Sequence, residues 1–476
     1  MLEPYPQFVG PRLRGVSRLS EVMDILSTAI SYASKLGVEF AEIRLERTRF
    51  TRIEIRDGVY NVSSGIDYGA AVRVYVNGSM GFAFTTRIGT GPLRRAIEQA
   101  YSLARSTPGS QPKPLLFDPV EDYYEHPVKK SIEDVSIDVK LKDLAELDKL
   151  VAEKSFVKSR LVVYNERVEE RYYVSTEERL IGEKRELSYL YASAFGKEAG
   201  VRGSAHITQG TVKGYTLWEK TPQEKMAEEL LGRLQRQLRA KTPRAGNFPV
   251  VIAPEAIGVF VHEAFGHLAE ADLVEAGSAL QGKKGQQVAS NLVSIVDDPG
   301  IDDGFGTLRY DDEGVRTARA VIVENGIHKQ IMTDRIHATI LEAEPTGNAR
   351  AESFRYPPLV RMRNTVMLPG DYSVEELFEG IEFGYYIVST AGGQTNIDGN
   401  FQVGVEEAYE IAKGEVGEPV RNLSIVGNTL ETLLNIDAVA KDFGLFYGRC
   451  GKGQLVYVSD GGPHVRVRRM TVGGRE

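Results

Sequence analysis

Phe248-Pro249-Val250-Val251-Ile252-Ala253-Pro254-Glu255-Ala256-Ile257-Gly258-Val259-Phe260-Val261-His262-Glu263-Ala264-Phe265-Gly266-His267 is the stretch on which the fold turns. Its apolar start reads as a buried strand that runs straight into a buried helix. That helix carries two imidazoles and a carboxylate, His262, Glu263 and His267. Imidazole is the commonest neutral ligand for zinc, and a carboxylate beside such an ion is the usual base for hydrolysis. Zinc is therefore the expected cofactor, although iron or cobalt suit the same donors.

The spacing sets a structural condition. Zinc-protease helices commonly carry H-E-x-x-H, with the ligands one turn apart. Here the second His is five positions on, and at roughly 100° per residue the two rings of an ideal helix point about 140° apart. Both reach one ion only if the helix carries an extra residue, as a π-bulge does. Gly266 lies where such a distortion is easy, because glycine accepts unusual dihedrals. The competing reading is two helix histidines on different faces, each hydrogen-bonded in the core.

Upstream of this stretch the chain alternates helices and strands. Residues 20–36 form an amphipathic helix, with Ser20 as its cap and Gly37 closing it. Residues 40–52 alternate as a strand, with hairpin turns at Arg56-Asp57-Gly58 and Asn77-Gly78. Pro92 opens a second helix that runs to Ala104. Residues 106–137, rich in proline and acid, read as a connector, and 139–154 as a helix. A second β-rich block covers 161–216, with turns near Glu177-Glu178 and Phe195-Gly196-Lys197. Residues 222–240 are a long charged helix, and Lys241-Thr242-Pro243-Arg244-Ala245-Gly246 looks like a boundary.

Downstream, 280–306 is rich in Gly, Asp and Ser and reads as a loop near the site. Glu324-Asn325-Gly326 turns a hairpin over 321–332. Gly392-Gly393-Gln394 and Asp398-Gly399-Asn400 flank a short loop, 401–413 alternates as a strand, and 422–439 mixes a turn with a helix. The expected fold is α+β, in two domains, each with antiparallel β-sheets packed by helices. The boundary falls between 1–243 and 244–476.

Composition bounds the class. A chain of 476 residues is too long for one ordinary core. With 42% hydrophobic and 26% charged residues it reads as a globular protein, and a net charge of -8 argues against nucleic acid as the main partner. No run of 18 apolar residues is present, so no membrane span is expected. The start, Met1-Leu2-Glu3-Pro4-Tyr5-Pro6, lacks the basic and apolar regions of an export signal, and one Cys allows no internal disulfide. The expected compartment is cytoplasmic.

A catalytic zinc site needs a third protein ligand. The candidates are a carboxylate, another His, or Cys450 in Tyr447-Gly448-Arg449-Cys450-Gly451-Lys452-Gly453-Gln454. Three nearby glycines suit an exposed tight loop, and Arg449 and Lys452 favour the thiolate. The opposing reading is a small buried hydrophobe. His126, His206, His328, His337 and His464 stand alone and read as surface or satisfied core residues. Glu270 reads as a solvated helix end, with a carboxylate behind a ligand as its alternative.

With the His262–His267 motif and Cys450-Gly451-Lys452 both in place, the chain resembles the TldD/PmbA family, in its TldD type. Supporting stretches are Pro254-Glu255-Ala256, Asp311-Asp312-Glu313-Gly314, Thr346-Gly347-Asn348-Ala349-Arg350, Arg363-Asn364-Thr365, Gly392-Gly393-Gln394, Gly462-Pro463 and Thr471-Val472-Gly473-Gly474. The resemblance covers most of the chain, and the PmbA (TldE) type usually lacks the His-Glu-His set. It implies a cytoplasmic zinc metallopeptidase acting on unfolded peptides or small proteins. It implies pairing as a homodimer, or as a heterodimer with a PmbA/TldE-type paralogue. It assigns the metal to His262, His267 and Cys450 and the catalytic role to Glu263. The first half would enclose substrate and dimerise; the residues that bind substrate are not readable. The family's link by name to DNA gyrase modulation leaves a non-catalytic regulatory or assembly subunit with a structural metal as the alternative. The loop after Cys450 is one residue shorter than the family's usual form.

Overall fold

The structure, a computed structural model, describes residues 15–474. The N-terminal stretch read above for an export signal lies outside them. The chain opens with α1 (Gly15–Ser34), then the meander β1 (Phe40–Arg56), β2 (Val59–Val76) and β3 (Ser79–Thr85). There follow α2 (Thr90–Ser106), β4 (Val120–Glu125), α3 (Ile137–Ala152), β5 (Val157–Ser175), β6 (Arg179–Glu198), β7 (Val201–Thr211), the one-turn α4 (Leu217–Lys220) and α5 (Gln223–Arg239). All seven strands make one sheet in the order β3-β2-β1-β5-β6, with β4 and β7 sharing the far side of β6. The turns obey the sequence: Asp57, Gly58, Asn77 and Gly78 all hold positive φ, as tight hairpins of right-twisted strands require.

Alternation along β1 explains both faces of this sheet. Ala41, Ile43, Leu45, Ile53 and Ile55 point to the helices: α1 and α2 cover one end, α3 and α5 the other. The polar face is buried too. Glu42, Arg44 and Glu46 are all buried. Arg73 spans Glu42 and Glu313 at 2.6 Å each, and Arg44 donates to Ser353 O at 3.0 Å. Arg171 reaches Asp312 at 3.2 Å, and Arg185 donates to Phe305 O at 2.9 Å. Buried ions add little net stability, but a misplaced partner leaves a charge uncompensated, so this face fixes how the halves dock.

The second half begins with β8 (Gly246–Ile252), α6 (Pro254–Val259) and α7 (Ala271–Glu275). Its further strands are β9 (Ile295–Asp297), β10 (Ala320–Glu324), β11 (Ile327–His328), β12 (Ala349–Arg350), β13 (Leu359–Val360), β14 (Asn364–Met367), β15 (Phe383–Thr395), β16 (Asn400–Ala412), β17 (Glu415–Val420), β18 (Leu423–Asn428), β19 (Ile436–Val439), β20 (Gly444–Gly451), β21 (Leu455–Gly462) and β22 (Val465–Gly474). One sheet runs β11-β10-β9-β14-β21-β20; the other runs β15-β8-β22-β18-β16-β17. Because β15 also pairs with β16, the second sheet closes on itself. Closure leaves fewer free edges. The largest apolar cluster lies here, from Val250 and Ile252 through Phe260 and Phe265 to Val465. The fold is α+β, with mostly antiparallel sheets; β4–β6, β8–β15 and β14–β21 pair in parallel.

Several local readings are corrected. α1 begins at Gly15, so Ser20 lies inside it and is not its cap. The proline-rich connector contains β4, whose partner β6 lies some sixty residues on. Phe195, Gly196 and Lys197 continue β6, and the turn falls at Ala199-Gly200, both at positive φ. Residues 280–306 are largely irregular, as a loop should be, yet Leu280, Val288, Ala289, Val293 and Ile295 enter the core, and the short β9 sits mid-sheet. Gly392-Gly393-Gln394 at the end of β15 and Asp398-Gly399-Asn400 leading into β16 do flank a short loop, and the β15–β16 ladder shifts register before Gly393.

Candidate metal centre

The path from β8 through α6 does not continue as an α-helix. Residues Phe260–Phe265 form a π-helical turn, followed by a 3-10 turn over Gly266–Ala269. The wider turn supplies the extra residue that the five-residue His spacing demands. It brings the imidazoles of His262 and His267 to 5.3 Å between ring centroids, at 82°. The Ala264 carbonyl at this irregular stretch accepts from Thr429 Oγ1 at 2.8 Å.

Gly266 is needed for a reason other than the one expected. Its backbone is ordinary, at φ -57° and ψ -45°. A Cβ there would lie 2.1 Å from Met362 Sδ, so close packing excludes a side chain.

Cys450 arrives from β20. It is buried on a strand rather than exposed in a loop. Arg361 fixes the hairpin beyond it, donating to Cys450 O and Gln454 O at 2.7 Å each, and the shorter loop closes through Gly453 at φ +68°. One ligand atom each from His262, His267 and Cys450 lies within 4.8 Å of the others. Cys450 Sγ is 3.3 Å from His267 Nε2.

This donor set fits a zinc ion. His262 is buried, yet neither of its ring nitrogens has a hydrogen-bond partner. Buried polar atoms are rarely left so, and each such atom calls for an explanation. A thiolate and two imidazoles are standard zinc ligands. The electrostatics agree. Burial pushes the Cys450 thiol up, but the two histidines beside it overcome this and bring it down to about 4. Burial lowers His267, while the Glu270 charge and Cys450 prevail and raise it to about 10. The pocket thus favours a positive charge between these side chains.

Glu270 is not a solvated helix end. It is fully buried and accepts from His267 Nδ1 at 2.8 Å. Burial opposes its charge, but His267 and Lys452 hold it down to about 2. Lys452 Nζ bridges Glu270 at 3.0 Å, Asp272 at 2.8 Å and the Val360 carbonyl at 3.0 Å. With Nδ1 occupied, Nε2 of His267 is the atom left for a metal.

Glu263 stands apart from this set. Its carboxylate lies 3.9 Å from His262 Nε2 and 4.0 Å from His267 Nε2, and it opens onto a cleft of about 650 Å³. The cleft runs between β6 and β7 on one side and β15, β20 and the histidine segment on the other. Asp460, on β21, also lines it and was not among the candidates read from the sequence. Burial, opposed in part by His262, pushes its carboxyl up to about 7. The other histidines are satisfied elsewhere, as expected. His126 pairs with Glu183, His206 with Glu406, His337 with Asp334 and His464 with Asp442, and His328 bonds the Ile322 carbonyl.

The chain matches the models of PmbA/TldA metallopeptidase domain 1 over residues 41–104, the central domain over 130–238 and the C-terminal domain over 245–474. It is 37% identical over 451 residues to a zinc metalloprotease TldD homolog of Saccharolobus solfataricus, covering 94% of this chain and 99% of that protein. It is 39% identical over 444 residues to a metalloprotease of Methanothermobacter thermautotrophicus, covering 92% and 96%. Among solved structures, TldE of Thermococcus kodakarensis superposes with a TM-score of 0.80 at 22% identity, over 94% of this chain and all of that one. A putative modulator of a DNA gyrase from Thermotoga maritima gives 0.78 at 23% identity, over 95% and 100%. These two likenesses establish the shared fold. No described helix is long and apolar enough to cross a membrane.

Proposed function

The chain belongs to the PmbA/TldD metallopeptidase family, and on that premise we propose that it is a cytoplasmic zinc-dependent peptidase that hydrolyses unfolded peptides or small proteins. His262, His267 and Cys450 hold the metal, and Glu263 is the general base. The observation that supports this most directly is the meeting of three donor atoms within 4.8 Å, with both nitrogens of the buried His262 unpartnered. Three protein ligands are the count of a catalytic site, where a structural zinc takes four.

Bound zinc would supply a Lewis acid and lower the pKa of water at the site. The rest falls to the chain. Glu263, facing the cleft and outside the donor set, takes the proton of the attacking water and returns it to the leaving amine. Glu270 holds the His267 ring in one tautomer, and Lys452 keeps Glu270 ionised and in place. A thiolate donates more charge than a third imidazole, so the proton transfer through Glu263 carries more of the catalysis here.

A cleft of about 650 Å³ suits a few residues of extended chain rather than a folded domain. Gly392, on the exposed stretch of β15 that lines it, has nothing within 4 Å of where a Cβ would stand and leaves room for a peptide main chain to approach. We assign substrate enclosure and subunit pairing to residues 1–243 and the metallopeptidase unit to 244–476. The partner is a second copy or a PmbA/TldE-type paralogue.

The test is cleavage of an unstructured peptide by the zinc-loaded chain and by Glu263→Ala, followed by mass spectrometry. Cleavage by the wild type alone supports the reading. Equal cleavage by both removes Glu263 as the base. Zinc retained without any cleavage, alone or with a paralogue present, favours the regulatory subunit.

A further inference from the structure

The cleft beside Glu263 is lined by four carboxylates, Glu255, Glu263, Glu406 and Asp460, and by three basic side chains, His206, His262 and Arg449. Most of these charges are already answered within the fold. Glu255 takes a two-pronged bond from Arg233, at 2.7 and 3.1 Å. Glu406 is held by His206 at 2.5 Å. Glu263 faces the two motif histidines, and Asp460 is buried. Arg449 differs. Among the described residues it has no carboxylate within ion-pair distance, and its guanidinium stands 5.9 Å from the centroid of the Tyr189 ring.

Its place on the backbone is firm. Arg449 lies in β20, paired with Tyr457 of β21, one residue before Cys450. Successive strand residues face opposite ways, so Cys450 turns to the histidines while Arg449 turns to the other face, where Tyr189 lines the cleft wall. An exposed arginine is ordinarily just solvated. This one stands on a paired strand near the Tyr189 ring, in the wall of the cleft that would receive substrate. A guanidinium so placed presents a ready fork for a carboxylate.

We propose that Arg449 is a specificity-determining residue that receives a carboxylate of the peptide substrate. The idea rests on the peptidase reading above. The carboxylate has two sources, a free C-terminus or an Asp or Glu side chain. A peptide strand rises about 3.3 Å per residue and Arg449 adjoins the ligand Cys450, so the recognised group lies within about four residues of the scissile bond.

The experiment uses one unstructured peptide in four forms: free or amidated at its C-terminus, each with Asp or Asn near the cleaved bond. kcat/KM is measured for the zinc-loaded wild type, Arg449→Gln and Arg449→Lys. The wild type is expected to favour a carboxylate form about 10- to 100-fold over its neutral counterpart, a charge-assisted bidentate contact being of that size. In Arg449→Gln that ratio is expected to fall to about one, with Arg449→Lys between. Sensitivity to amidation assigns the C-terminus; sensitivity to Asp→Asn in the peptide assigns a side chain. A wild-type ratio near one, or a ratio unchanged in Arg449→Gln, overturns the proposal. Binding of the same peptides to Glu263→Gln, read by fluorescence anisotropy, separates the two readings. A carboxylate preference in binding without cleavage by the wild type sinks the peptidase and keeps Arg449. Cleavage without any preference does the reverse.

Discussion

His267 Nδ1 and Glu270 Oε2 lie 2.8 Å apart, and the carboxylate that makes this bond is wholly shielded from solvent. Glu270 therefore acts on the metal site through its neighbour's ring. Removing such a partner typically costs 10- to 100-fold in metal affinity. Glu270→Gln is expected to weaken zinc binding by about that factor, measured by competition with a chromophoric chelator, while far-UV circular dichroism stays unchanged. Affinity equal to wild type would deny Glu270 any hold on the metal.

The three proposed ligands and the proposed base should separate cleanly. His262→Ala, His267→Ala and Cys450→Ser are expected to purify with little zinc by elemental analysis. Glu263→Ala is expected to keep its zinc and to lose about 10²- to 10⁴-fold in rate. Full zinc occupancy in any of the first three would show the donor set to be wrong.

The legibility of the chain follows from how far each signal travels. The histidine spacing carried its own geometric condition, and the π-turn at Phe260–Phe265 meets it, because a local angle must be corrected locally. The hairpins at Asp57-Gly58 and Asn77-Gly78 were readable for the same reason. The polar face of β1 was not. Alternation tells which side chains leave the helix-covered face, but Arg44 and the Arg73 that pairs with Glu42 reach residues more than two hundred positions on, at Ser353 and Glu313. β4 was hidden by its proline-rich flanks, and its pairing with β6 is non-local. Glycine misled where its role was packing. Gly196 looked like a turn, yet it sits inside β6 where a Cβ would meet Leu234 and the Phe156 carbonyl at 3.1 Å. Glu270 looked like a solvated end because nothing nearby in sequence announces Lys452.

Gly266 should tolerate no side chain. A Cβ there meets Met362 Sδ at 2.1 Å and the Val261 carbonyl at 3.2 Å, and Met362 is itself buried. Gly266→Ala is expected to destabilise by about 1–3 kcal/mol through overpacking, read as a lower Tm. Met362→Ala in the same chain should recover part of that loss, since the two sites share one space. Additive losses in the double variant would place the strain elsewhere.

The pair of His206 on β7 and Glu406 on β16 gives a pH dependence with a definite sign. Burial lowers the His206 titration, but the hydrogen bond and charge of Glu406 outweigh it, so the folded state holds its proton above the ordinary 6.5. A group raised on folding contributes its full stabilisation below the unfolded value and loses it as pH rises through the folded one. His206→Gln should therefore cost most at pH 6 and below, on the order of 1 kcal/mol for a partly exposed pair. The gap from wild type should close progressively as pH climbs past 6.5. Urea denaturation of both proteins from pH 5.5 to 9 measures it. A gap that widens with pH would mean that the folded state binds the neutral ring.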